Sequence, residues 1–189
     1  MRPKRLIEVS GVLGAAHYVA VKGGPKHLVM VELDDHRVFH ESGFLDAFRI
    51  ASRAETSPAR VGRNHILNGY RLIFPSRTDP VGSDRAMPGC IMMGRMDIPS
   101  FLEEEFNAWY NTVYIPDYLA VPGCLGARRF VAVEGQPKYL TVYELESPAV
   151  QASDAWLRAR TGNPWTARLV PFMKLDEGSP AIFQRRYPE

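Results

Sequence analysis

SGVLGAAHYVAVKGGPKHLVMVEL (Ser10–Leu33) lies over PGCLGARRFVAVEGQPKYLTVYEL (Pro122–Leu145) without a gap, at a constant offset of 112 residues, and thirteen of the 24 aligned positions are identical. Among them are Gly11/Gly123, Gly23/Gly135, Pro25/Pro137, Lys26/Lys138 and Glu32/Glu144. Self-similarity of this length marks a duplicated structural unit and sets the architecture before any local reading.

The second copy is the fuller one. Cys90–Asp97 reads as a strand, and Pro99-Ser100 opens a helix. Ser100 and Glu103 fit the S-x-x-E capping box, and the acidic run Glu103–Glu105 suits the positive end of a helix dipole. Leu102, Phe106, Trp109, Tyr110 and Val113 recur at helical spacing, and Pro116 stops or kinks the helix. Strands follow over Leu125–Val133 and Lys138–Leu145, joined by the turn Glu134-Gly135-Gln136-Pro137. A helix over Ala149–Ala159 is broken by Thr161-Gly162-Asn163-Pro164, and Ala181–Tyr187 forms the last strand. The order β-α-β-β-α-β is the split-βαβ, or ferredoxin-like, motif.

The first copy has strands at Leu13–Val21 and Lys26–Leu33, a helix at Gly43–Arg53 and a strand at Tyr70–Phe74. By the offset, Met1 falls on Val113, so this copy lacks the opening strand and most of the first helix. Either the repeat is truncated or the true start codon lies upstream of Met1. The expected fold is α+β: two ferredoxin-like repeats packed as a dimeric α/β-barrel, the first truncated at its N-terminus. The expected division is residues 1–75 (incomplete repeat), 76–89 (linker SRTDPVGSDRAMPG) and 90–189 (complete repeat).

Composition narrows the function classes. The chain has 189 residues, 46% hydrophobic and 23% charged, with net charge +2, a globular balance. Acid and base are interspersed, so no basic stripe suits nucleic acid. No apolar run approaches the roughly 20 residues of a membrane span, and the start has no secretory pattern. The two cysteines, Cys90 and Cys124, fit neither a disulfide scaffold nor metal-ligand spacing, so a reduced cytoplasmic setting is expected.

EEFNAWYNTVYIPDYLAVPG (Glu104–Gly123) resembles the signature of EthD-like proteins of the dimeric α/β-barrel superfamily, approximately F-N-x-W-Y-x-x-x-H-x-P-x-x-L-x-x-P-G. Phe106, Asn107, Trp109, Tyr110, Pro116, Leu119, Pro122 and Gly123 match; the later NPWTAR (Asn163–Arg168) is similar to the same family. The resemblance implies two four-stranded sheets face to face with helices outside, supplied by two chains or by one tandem chain. It also implies a range of chemistries, cofactor-free monooxygenases, lactone isomerases, polyketide cyclases and haem enzymes, so fold does not fix function. Tyr114 stands where the signature has His. An unperturbed tyrosine is a poor base at neutral pH but donates a hydrogen bond well.

Strand alternation supplies the remaining candidates. His17 and Arg129 are equivalent polar positions among apolar neighbours, and positions where the copies diverge are better bets for function than shared ones. Glu32 and Glu144, identical in both copies, read as strand-end scaffold forming hydrogen bonds or ion pairs, as do Lys26 and Lys138. Tyr18 and Phe130 read as core on the opposite face. His36 and His40 have a chelating i, i+4 spacing but no third ligand, and neither His27 nor His65 supplies one, so no metal is expected.

The expected site therefore has Tyr114, Arg129 and His17 as catalytic candidates and Trp109 and Tyr110 as aromatic walls for substrate, the alternative for these two being core. The expected function is a cofactor-independent enzyme of isomerase, cyclase, lyase or monooxygenase type, acting on a small apolar or aromatic metabolite. The alternative is a non-catalytic small-molecule-binding or assembly protein of the same fold. A homodimer is expected, with no nucleic-acid or membrane partner.

Overall fold

The computed structural model describes residues 6–53, 66–75 and 87–187. Strands β1 (Val12–Lys22) and β2 (His27–Leu33) form a hairpin, a 3-10 turn (His36–His40) leads into α1 (Ser42–Arg53), and β3 (Gly69–Phe74) follows. After β4 (Cys90–Asp97) comes one helical run: α2 (Glu103–Trp109), a π-helical turn (Tyr110–Tyr114) and α3 (Ile115–Leu119). The hairpin β5 (Cys124–Glu134) and β6 (Tyr139–Leu145) precedes a second 3-10 turn (Pro148–Ala152), α4 (Asp154–Thr161), α5 (Pro164–Leu169), the short β7 (Lys174–Leu175) and β8 (Ala181–Tyr187).

The internal likeness extends beyond the matched sequence. Asp34 N–H donates to Gly11 O as Glu146 does to Gly123 O, and Val9 to Leu6 as Val121 does to Tyr118. Leu45 donates to Glu41 as Leu157 does to Ser153. The glycines explain part of the identity. Gly11 and Gly123 have φ of 82° and 85°, and a Cβ there would lie 2.6 Å from Val38 Cγ2 and 2.7 Å from Val150 Cγ2. Positive φ and this close approach both exclude a side chain.

The sheet order is β2-β1-β8-β4-β6-β5-β3, with β7 beside β4, and every pairing is antiparallel. The sheet is curled. β2 and β5 stand five places apart, about 24 Å in a flat sheet at ~4.8 Å per strand, yet Arg128 of β5 forms an ion pair with Glu32 of β2. The two halves interlock through β1–β8 and β5–β3. These pairings are equivalent with a one-residue slip: Tyr18 faces Arg185, and Phe130 faces Leu72. Among the described residues no strand pairs with the outer edges of β2 and β3. In the other half, β4 occupies the corresponding place, between β6 and β8.

Alternation along the strands sorts the core into layers. Ala16, Tyr18, Leu28, Met30, Ile91, Met93, Leu140, Val142 and Phe183 meet inside the curl. Cys90, Met92, Tyr139, Tyr143 and Ile182 face outward against α2, α3 and α4. Ala15, Val29 and Val31 face outward with Val38, Phe39 and Phe44 around α1. Arg128 faces inward and holds both Glu32 and Glu144, so these equivalent acids do end in ion pairs.

Some local expectations are corrected. Ser100 does not cap: Pro99 takes the N-cap position, a 3-10 turn intervenes, and Glu103 turns to Lys138 Nζ. The expected helix 149–159 is split by extended Ser153, whose Oγ accepts from Trp156 N–H and caps α4. Asn163 does break that helix, but it also caps α5 through Trp165 N–H. Met1, Arg2, His65 and residues 76–86 of the expected linker lie outside the described residues. The end of that linker packs inside the curl, where Met87 is buried and Pro88 O accepts from the Tyr18 hydroxyl. Among the described residues no helix is long and apolar enough to cross a membrane.

Candidate functional site

The layer between β4–β6–β5 and the α2–α3 run gathers most of the candidate residues. Trp109 and Tyr110 are 0% and 2% exposed. The π turn, in which Ile115 N–H reaches back five residues to Tyr110 O, brings Tyr110, Tyr114 and Tyr118 onto one side of the run. The Tyr114 ring lies 4.8 Å from each of the other two and 4.5 Å from Trp109. Tyr118 and Tyr143 continue the stack to Trp156. Such single-turn π segments recur at functional sites. Outside, Glu105 of α2 accepts from Arg168 and Trp165 of α5. The Arg168 bonds hold the Glu105 carboxyl down at about 2.

Arg129 projects from β5 into this layer and is 0% exposed. Its guanidinium lies 4.3 Å from the Tyr110 ring centroid, 5.2 Å from that of Phe106 and 5.6 Å from that of Tyr139. Its terminal nitrogens donate to Asn111 Oδ1 at 2.6 Å and Asn107 Oδ1 at 2.8 Å, both neutral acceptors. Among the described residues no carboxylate pairs with it, and its Nε has no acceptor. Burial pushes its pKa down from the ordinary value, but arginine stays charged at neutral pH. Aromatic faces and amide dipoles therefore neutralise this cation only in part.

Tyr114 is half-buried, and its hydroxyl accepts from Tyr118 at 3.2 Å. Burial drives its pKa far above the ordinary tyrosine value, with the neighbouring Tyr118 adding to the rise. Tyr118 itself is pushed up to about 12. The Tyr114 phenol is thus a neutral hydrogen-bonding group and not a base.

His17 lies elsewhere. It sits on the outward face of β1, separated from β5 by β8, β4 and β6, and its Nε2 is 3.2 Å from His27 Nδ1. Burial, followed by nearby positive groups including His27, lowers its pKa from 6.5 to about 4. The unfolded chain therefore takes up this proton near pH 6.5 and the folded one only near 4, so stability falls as pH drops through that window. Urea unfolding at pH 7 and pH 4.5 should show this loss, and His17→Gln should make it smaller. Equal losses in both proteins would contradict it.

Sequence reasoning brought Tyr114, Arg129, Trp109 and Tyr110 together and left out Asn107, Asn111, Thr141 and Tyr143. Thr141 stands directly opposite Arg129 in the β5–β6 ladder. The signal for it was a lone polar residue between Leu140 and Val142 on an otherwise apolar strand. Among the described residues no cluster of three or more His, Cys, Asp or Glu could hold a metal. An open depression of about 580 Å³ on α4, lined by Asp154, Leu157, Arg158, Arg160 and Thr161, includes none of the candidate residues.

Solved structures share this fold. A protein from Fusobacterium nucleatum provisionally described as a monooxygenase matches with a TM-score of 0.52 at 11% identity, over 96% of this chain and 82% of its own. Another, provisionally described as a chlorite dismutase, matches with a TM-score of 0.58 at 11% identity, over 95% and 78%. The fold is that of the dimeric α+β barrels. At this identity the likeness concerns the barrel alone and carries no residue roles. No protein-family model matches the chain, and no curated protein matches it.

Proposed function

We propose that this barrel is a cofactor-independent enzyme of isomerase, cyclase, lyase or monooxygenase type, acting on a small apolar or aromatic metabolite between β6–β5 and α2–α3. The observation that carries the reading is Arg129, a fully buried guanidinium with aromatic faces around it and no acid partner among the described residues. A preorganised cation in a water-poor setting stabilises developing negative charge. Arg129 holds the oxyanion, the neutral Tyr114 phenol donates to a second oxygen, and Trp109 and Tyr110 form the wall. His17 faces another layer and has no role here. The provisional descriptions of the two structural neighbours, a monooxygenase and a chlorite dismutase, support an enzyme in general.

In finer terms, we read the chain as EthD-like and built from two ferredoxin-like units, the first without its opening strand. The common bounds of β1 and β5 and of β2 and β6 at an offset of 112 support this. Among the described residues the outer edges of β2 and β3 are unpaired, which supports association with a second copy.

The test is aerobic turnover of small phenols, quinols and enols by protein given no metal, flavin or haem. Turnover should appear, and Tyr114→Phe should lower kcat by about 10²-fold. Unchanged kcat in that variant would remove the tyrosine from the mechanism. A second reading, a non-catalytic binding or assembly protein, is favoured by the tight ring packing of Phe106, Trp109 and Tyr110. Ligand binding without turnover of any compound would select it.

A further inference from the structure

The two halves of the sheet are related by one exchange of strands. β1 and β5 begin at Val12 and Cys124, β2 and β6 at His27 and Tyr139, and β3 and β8 at Gly69 and Ala181, an offset of 112 each time. Replacing every strand by its equivalent turns the order β2-β1-β8-β4-β6-β5-β3 into β6-β5-β3-x-β2-β1-β8, where x is the equivalent of β4. The place x therefore lies between the outer edges of β3 and β2, and a strand there closes the curl into a ring. The curl brings these edges toward each other, since Arg128 of β5 reaches Glu32 of β2.

Burial separates the equivalent strands. All seven residues of β6 are buried, as are seven of the eight in β4, whereas none of the seven in β2 is, although five of them are Leu, Val or Met. The apolar side chains of β2 lie on both faces, Leu28 and Met30 inward with Tyr70 of β3, Val29 and Val31 outward. Ala20 N–H donates to Lys26 O, and hydrogen-bonded pairs alternate along an antiparallel ladder. In the register that pairs Val19 with His27, the N–H and C=O groups of His27, Val29, Val31 and Leu33 thus point away from β1, along the outer edge. Of the usual guards of an exposed edge, β2 has neither lysine nor proline, and its one carboxylate, Glu32, is bound by Arg128 inside the curl.

We propose that β2 and β3 form a docking slot for one extended segment of another polypeptide, antiparallel to both strands and apolar on both faces, as β4 is between β6 and β8. Its inward side chains lie beside Leu28, Met30 and Tyr70 and its outward ones beside Val29 and Val31, so each face needs apolar residues. Within this sequence the stretches 54–65 and 76–86 do not have that character: each carries a proline and a glycine among polar and charged residues, a composition depleted in strands. A second copy lying against β2 covers one edge from outside and does not enter between two, because its own β2 and β3 are each bound to a neighbour, β1 and β5. The slot is independent of the reading of the helix layer, which belongs to the other half.

The probe is a synthetic peptide with the sequence Gly89–Asp97, followed by two lysines for solubility, added to the full chain. It should bind one to one, raise Tm by roughly 5–10 °C at about a hundredfold excess over Kd, and slow amide exchange at Val29, Val31 and Leu33 by at least about tenfold. The same peptide N-methylated at Met92 and Gly94, whose N–H groups face β6 in the barrel, should not bind, and it tests the edge with no change to the protein. Val31→Pro removes one outward N–H and leaves the β1 ladder intact, so it should weaken binding about tenfold or more. The slot is overturned by no binding to the wild-type chain, by equal binding of the N-methylated peptide, or by undiminished binding to Val31→Pro. A dimer in which Val29, Val31 and Leu33 exchange slowly without peptide overturns it as well, and assigns the edge to a second copy.

Discussion

Trp109→Ala is expected to destabilise the protein by about 3–5 kcal/mol, the range for emptying a large aromatic site, and to lower Tm by roughly 10 °C. The indole is fully buried, lies 4.5–6.0 Å from the rings of Phe106, Tyr110 and Tyr114, and donates through Nε1 to Thr166 Oγ1 at 3.1 Å. Thr166 is itself buried, so truncation creates a cavity and also strips a buried hydroxyl of its donor. Trp109→Phe keeps most of the volume and loses the bond, so its cost should be about 1–2 kcal/mol. Urea unfolding of the two variants measures both. A loss below about 1 kcal/mol in the alanine variant would mean that the rings do not pack at these distances.

Arg128→Met should cost about 3–5 kcal/mol, because it removes the guanidinium that two carboxylates share inside the curl. Glu32 comes from β2 and Glu144 from β6, and the bridge to Glu32 spans the two halves of the barrel. Adding Glu32→Gln and Glu144→Gln to Arg128→Met should restore most of the loss, since a neutral set in an apolar interior lacks the uncompensated charge. If the triple variant is no more stable than the single one, the cost lies in side-chain packing and the charges do not act as a clamp.

The strands were legible because their boundaries are chemical. Gly89 and Pro99 flank β4, Pro180 and Pro188 flank β8, and the observed Cys90–Asp97 and Ala181–Tyr187 match the expected spans. Helix starts were less so. The pattern Ser100-x-x-Glu103 is a capping box only if Glu103 is free to turn back, and Lys138 holds it instead. Period-two alternation put Tyr18 and Phe130 on the face opposite His17 and Arg129, as observed, but alternation alone cannot say which face a helix covers. Arg128 was therefore not weighed, although it holds the interior charges. The equivalence of His17 and Arg129 was equally readable, yet their surroundings differ. The α2–α3 run lies over Arg129, and the corresponding stretch before β1 is not among the described residues apart from Leu6 onward.

The adjacent pair Arg128-Arg129 makes the barrel's two compartments one peptide bond apart. One guanidinium closes the interior, and the next belongs to the helix layer. The only thing separating them is the phase of β5 against β6, which bulges between Cys124 and Gly126 at one end and turns through Gly135 at the other. A slip of one residue would exchange the two side chains' surroundings, placing the clamp among the tyrosines and the anion-seeking group beside Glu32. Any insertion or deletion in this hairpin is therefore a change of chemical identity for both arginines, though neither is itself altered.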